Sequence, residues 1–91
     1  MTTCKKIMYD KSETFLTVYF ILESDGEFYY LELDSSDIRY YFRNEPEVME
    51  SVNRMELLPE DAERFVNDPV NETTGFCEGM FDTLQEAIDA I

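Results

Sequence analysis

Ninety-one residues carrying 21 Asp plus Glu against 7 Lys plus Arg, a net charge of −14, make one small domain whose surface repels phosphate. Direct binding of nucleic acid or of an anionic membrane is excluded on that ground. With no His in the chain, so are Ser/His/Asp and Cys/His nucleophile systems and any His-ligated zinc site.

The 44% hydrophobic content, with seven Phe and six Tyr, supplies the apolar mass of a folded core. No apolar run approaches the roughly 18 residues of a membrane span. Charged residues Asp10, Lys11 and Glu13 arrive before any signal core can form, so the expected location is cytoplasmic, the host cytoplasm if a phage encodes the chain. Cys4 and Cys77 are too few for a disulfide framework and too far apart for a CxxC motif. They read as two reduced thiols, Cys4 near a mobile end and Cys77 partly buried.

In chain order, Lys6 to Tyr9 reads as a short strand. Thr14 to Leu22 (TFLTVYFIL), β-branched and aromatic without Gly or Pro, is the strongest strand in the sequence. Asp25-Gly26 supplies a two-residue hairpin turn, since both residues tolerate positive φ. Glu27 to Leu33 (EFYYLEL) returns. That loop length sets Leu22 opposite Tyr29, Phe20 opposite Leu31 and Val18 opposite Leu33, a continuous apolar face. The other face pairs Ile21 with Tyr30, Tyr19 with Glu32 and Glu23 with Phe28, and is mixed, aromatic at its centre and acidic at its margins.

The second half reads as short helices. Asp34-Ser35-Ser36 offers N-caps ahead of the stripe Ile38, Tyr41, Phe42. Pro46 and Pro59 each open a further helix. The first buries Val48, Met49, Val52 and Met55 and turns Glu47 and Glu50 outward. The second buries Ala62, Phe65 and Val66 and turns Glu60, Asp61 and Glu63 outward. Asp68-Pro69 ends it, residues 68–75 form a loop, and Phe76 to Phe81 (FCEGMF) is a candidate strand. Thr83 and Glu86 form a T-x-x-E capping box for a last helix with the stripe Leu84, Ala87, Ile88, Ile91. The expected fold is α+β, one compact domain over 1–91, with an antiparallel sheet of three to four strands and short amphipathic helices packed on one face.

Carboxylates are the abundant reactive groups, but a carboxylate pair needs a cleft and separated pKa values to act as acid and base. Short helices in 91 residues leave little room for one, so no catalytic residue is assigned and the chain is read as non-enzymatic. No acid-rich stretch has calcium-loop spacing, and no glycine-rich phosphate cradle exists, so neither metal nor cofactor is expected. Tyr29-Tyr30 and Tyr40-Tyr41-Phe42 could stack bases, yet they adjoin Glu27, Glu32, Asp34 and Asp37 rather than basic residues.

Two readings of function follow. In the first, Glu47, Glu50, Glu60, Asp61, Glu63, Asp82, Glu86 and Asp89 form an acidic surface. It mimics nucleic acid and occupies the basic groove of a DNA- or RNA-binding protein. Fourteen charges correspond to about 24 Å of duplex, comparable with a domain of this size. In composition and size the chain resembles the small acidic inhibitors of the phage anti-restriction and anti-CRISPR class, although no residue motif places it in a named family. In the second reading, an immunity protein or accessory subunit binds its partner through Tyr19, Ile21, Phe28 and Tyr30, with acids as a steering rim. A homodimer through that face is a variant of the second reading.

Overall fold

The computed structural model describes residues 1–91 as a four-stranded antiparallel meander with four short helices. The strands are β1 (Thr3–Lys11), β2 (Leu16–Ser24), β3 (Glu27–Asp34) and β4 (Phe76–Phe81), ordered β1-β2-β3-β4. The helices are α1 (Ser35–Tyr41), α2 (Pro46–Asn53), α3 (Pro59–Asn67) and α4 (Leu84–Asp89). The α+β class is as the sequence indicates.

The hairpin register matches the pairing expected from the turn: Leu22 faces Tyr29, Phe20 faces Leu31 and Val18 faces Leu33. Asp25 and Gly26 hold φ of 53° and 79°, the double positive φ of a type I′ turn. β1 starts three residues before and ends two residues after the expected Lys6–Tyr9, and β2 is displaced two residues toward the turn.

The helices do not share one face. On one side α1, α2 and α3 bury Ile38, Phe42, Val52, Ala62 and Phe65 against Val18, Phe20, Leu22 and Leu33. Phe65 meets Phe20 and Tyr41 edge to face, with ring centroids 6.1 and 5.2 Å away. α4 instead crosses to the other face, where Ala87 packs with Ile21 and Tyr30, and Leu84 and Ile88 add to the cluster. An apolar patch on the second face has to be covered, and the α4 stripe is what covers it.

A bulge in β4 makes this possible. Between Phe28↔Phe81 and Tyr30↔Glu78 the β4 chain spends one residue more than β3, at Gly79, whose φ is 28°. The extra residue turns Phe81 onto the α4 face, while Cys77 pairs opposite Leu31 on the other. At the entry to β4, Gly75 (φ 88°) passes so close to β3 that a Cβ would lie 2.6 Å from Leu33 Cδ2 and 2.8 Å from the Glu32 carbonyl oxygen.

Two local details depart from the sequence reading. Met55, expected in the α2 stripe, lies past the helix end at φ 58° and is 40% exposed. There the Glu56 N–H bonds the Ser51 carbonyl and the Met55 N–H bonds that of Val52, a Schellman closure without its usual glycine. The thiols are also reversed: Cys4 is buried beneath α3, and Cys77 is exposed.

Candidate interaction surfaces

The eight carboxylates expected to form one acidic surface are divided by the sheet. Glu47, Glu50, Glu60, Asp61 and Glu63 belong to the α2 and α3 layer, whereas Asp82, Glu86 and Asp89 accompany α4 on the opposite face. No single partner groove can lie against all eight.

Several of them already have local work. Glu63, expected outward, turns to β1, and its Oε2 accepts the Cys4 N–H at 2.7 Å. Asp61 and Glu45 both hold Arg64, at 3.1 and 2.8 Å, raising the guanidinium pKa, chiefly through the Glu45 hydrogen bond. Glu50 pairs with Arg54 at 3.7 Å, an exposed i,i+4 contact of small energetic weight. Glu86 completes the cap of α4: its N–H donates to Thr83 Oγ1, whose hydroxyl donates back to the Glu86 carboxylate. Asp89 accepts from the Gln85 amide. Glu47, Glu60 and Asp82 make no ion pair or side-chain hydrogen bond.

The charge is densest where no cation offsets it, around β3, β4 and α4. All four Arg residues fall within the α1–α3 segment, residues 34–68. Residues 23–33 and 69–91, which form the β2–β3 turn, β3, β4 and α4, contain nine acids and no basic residue. Of these nine only Glu23 meets a cation, Lys5 at 3.2 Å. Composition located the charge in residues 23–91. The absence of any Lys or Arg in the β3–β4–α4 half was also readable, and it marks the acidic side better than helix periodicity does.

The second set of candidates fares differently. Ile21 is fully buried and Tyr30 is 8% exposed, both under α4. Burial, and then the neighbouring Glu78 and Glu32, push the Tyr30 hydroxyl pKa upward. Phe28 packs against the same cluster, and Tyr19 lies at its margin, edge to face with Tyr30 at 6.1 Å. These four residues are a small second core with Tyr19 at its rim, so Ile21 and Tyr30 offer no anchor while α4 is docked.

The structure presents a different apolar surface at β4. Phe76 and Met80 are 57% and 62% exposed, and Cys77 is exposed between them. Behind this strand runs an open groove of about 610 Å³ floored by Leu22, Tyr29 and Leu31 and walled by Val66 and Met80. α1–α3 stop short of β4, which leaves this strip of sheet uncovered. Asp68 and Glu72 stand on the groove rim. The Asp68 carboxyl is held below the ordinary carboxylate range by the Tyr41 hydroxyl, which donates at 2.6 Å, and by the Val70 N–H.

No group of three or more Cys, Asp or Glu side chains is gathered closely enough to hold a metal ion. No helix is long and apolar enough to cross a membrane. No protein-family model, curated protein or solved structure matches this chain.

Proposed function

We propose that this protein is a non-enzymatic acidic binder that occupies a basic, nucleic-acid-binding surface of another protein, in the manner of the anti-restriction and anti-CRISPR inhibitors it resembles in size and charge. The observation that carries the reading is the one-sided excess of acid: nine carboxylates and no cation over the β3–β4–α4 half. The molecule measures 35 × 29 × 20 Å, and the nine carboxylates of this half correspond to about 15 Å of duplex, a length that one side of such a body spans. A groove built for phosphate is attracted to such a body at long range, and screening weakens the attraction. The α4 side and the β4 edge take the place of the α2–α3 acids as the primary contact. Glu47 and Glu60 are left as unpaired charges on the far layer.

The test is displacement. Purified basic DNA- and RNA-binding proteins, each loaded with labelled duplex or single strand, are titrated with this protein at about 50 mM salt and again at about 500 mM, where the Debye length falls from roughly 14 to 4 Å. Release of nucleic acid from one member of the panel at low salt, lost at high salt, is the expected result. The variant Glu72→Gln/Glu78→Gln/Asp82→Asn should release far less than Glu47→Gln/Glu50→Gln/Glu60→Gln. A panel in which nothing is displaced, or displacement indifferent to salt, overturns the reading.

A further inference from the structure

The two sheet edges differ in whether their backbone is already engaged. At the start of β1, α3 side chains bond the outer main chain. Asn67 accepts the Thr2 N–H at 3.1 Å and donates to the Thr2 carbonyl at 2.9 Å just before the strand, and Glu63 accepts the Cys4 N–H within it. Beyond Cys4 no helix side chain bonds the β1 backbone. β4 pairs with β3 alone, and no side-chain hydrogen bond reaches its backbone. Its outward N–H and C=O groups, on alternate residues and interrupted at the Gly79 bulge, are a short template for another strand. Native edges are usually blunted by lysine, proline or a covering element. β4 has no lysine, proline or covering element; the charge of Glu78 and the Gly79 bulge are its guards, and it sets exposed Phe76 and Met80 on either side of the free edge.

We infer that β4 is a docking edge for an extended basic segment of a partner protein, added antiparallel or parallel as a fifth strand. Charge selects the occupant. Glu78 lies on the strand itself, Glu32 faces Phe76 across the ladder, Glu72 and Asp68 rim the groove, and Asp82 follows the strand end. A strand that alternates Lys or Arg with apolar residues would place its cations on the face of Glu78 and Glu32 and its apolar side chains on the opposite face, along the Cys77–Met80 groove. There Asp68 and Glu72 add only long-range attraction. A second copy of this chain fits poorly. Pairing β4 with β4 would bring two bodies of net charge −14 together and set Glu78 of each copy near acids of the other. The inference rests on the proposed binding of a basic protein and specifies how that partner is held.

The experiment uses the full chain, isotope-labelled for NMR, and an eight-residue peptide alternating valine or threonine with lysine. Two control peptides carry serine in place of lysine, or N-methyl groups on the residues whose N–H would face β4. The lysine peptide should shift the Phe76–Phe81 amides, slow their exchange, and give cross-strand contacts to β4. N-methylation should weaken it by at least about tenfold, since it deletes the ladder bonds. Phe76→Ser/Met80→Ser should weaken it to a similar degree without altering the α1–α3 resonances. Shifts confined to α2 and α3, or affinity unchanged by N-methylation, overturn the edge. Equal binding of the serine peptide overturns the basic occupant. The two proposals are separable: if Phe76→Ser/Met80→Ser still displaces nucleic acid like the parent, the edge falls and the acidic binder stands. If the lysine peptide pairs with β4 while nothing in the panel is displaced, the edge stands alone.

Discussion

The β1 and β4 edges of one small sheet have been treated in opposite ways. β1 is the basic strand, with Lys5, Lys6 and Lys11, and it is tied to the helical layer. Asn67 and Glu63 bond its N-terminal backbone, and the Tyr9 hydroxyl reaches the other way to accept the Leu57 N–H at 3.0 Å. β4 is exposed at every position but its last, lies in the half that holds nine acids and no Lys or Arg, and takes no bond from any helix. Three ties anchor β1 to the fold, whereas β3 and the covered Phe81 are what keep β4 in place. The two edges are therefore finished differently: at the start of β1 polar side chains of α3 take the place of a missing strand, and on β4 no side chain does.

Paired substitutions can break this contrast. The largest expected difference is between two phenylalanines. Phe65→Ala on α3 opens a cavity against Phe20 and Tyr41 and should cost about 3–5 kcal/mol, read from urea unfolding. Phe76→Ala on β4, more than half exposed, should cost under about 1 kcal/mol. Equal losses would mean that β4 is packed as tightly as the helical side.

Next come two glutamates. Glu63→Ala strands the N–H of Cys4, a residue 7% exposed, and should cost about 1–3 kcal/mol. Glu78→Ala, which loses no hydrogen bond, should change stability by no more than about 0.5 kcal/mol. A neutral Glu63→Ala would show that α3 does not hold the β1 edge.

The thiols give a smaller, kinetic version of the same test. Burial, with the nearby Glu63 charge adding to it, pushes the Cys4 pKa up to about 11. Cys77 is also raised, by partial burial and then Glu78, but its sulfur lies on an exposed strand. A thiol reagent at pH 8 should label Cys77 in the folded protein and Cys4 only after denaturation. Simultaneous labelling of both would place Cys4 outside the α3 clasp.

The least effect is expected in acid. Asp34 is held below the ordinary range by the Ser36 backbone N–H and then its hydroxyl, and Asp68 by the Tyr41 hydroxyl and then the Val70 N–H. Carboxyls depressed on folding stabilise the protein above the unfolded carboxylate pKa, near 4, and lose that contribution as pH falls through the depressed values. Asp68→Asn should therefore make the fall of stability below about pH 4 shallower, seen by urea unfolding across pH. An unchanged acid limb would mean that the Tyr41–Asp68 bond is not kept in solution.

Local sequence determined most of the elements. The Asp25-Gly26 turn fixed the β2–β3 register because a two-residue loop allows one pairing. Pro46 and Pro59 opened α2 and α3, and Thr83 capped α4, because each signal acts within a turn of its own position. The apolar stripe of α4 was equally readable, but not the face it would choose, since stripes carry no address. Ile21, Phe28 and Tyr30 announced an apolar patch, and only the placement of the chain after β4 decided that α4, rather than a partner, covers it. The same limit governed the acids. Helical spacing turned Glu63 outward from Ala62 and Phe65, yet the tertiary packing set β1 against that flank of α3 and made Glu63 a backbone acceptor. Charge totals, cap signals and turn lengths are local or additive and can be read along the chain. Which edge is clasped, which face is covered and which carboxylates are left unpaired depend on contacts between residues as distant as Cys4 and Glu63, and folding alone brings those together.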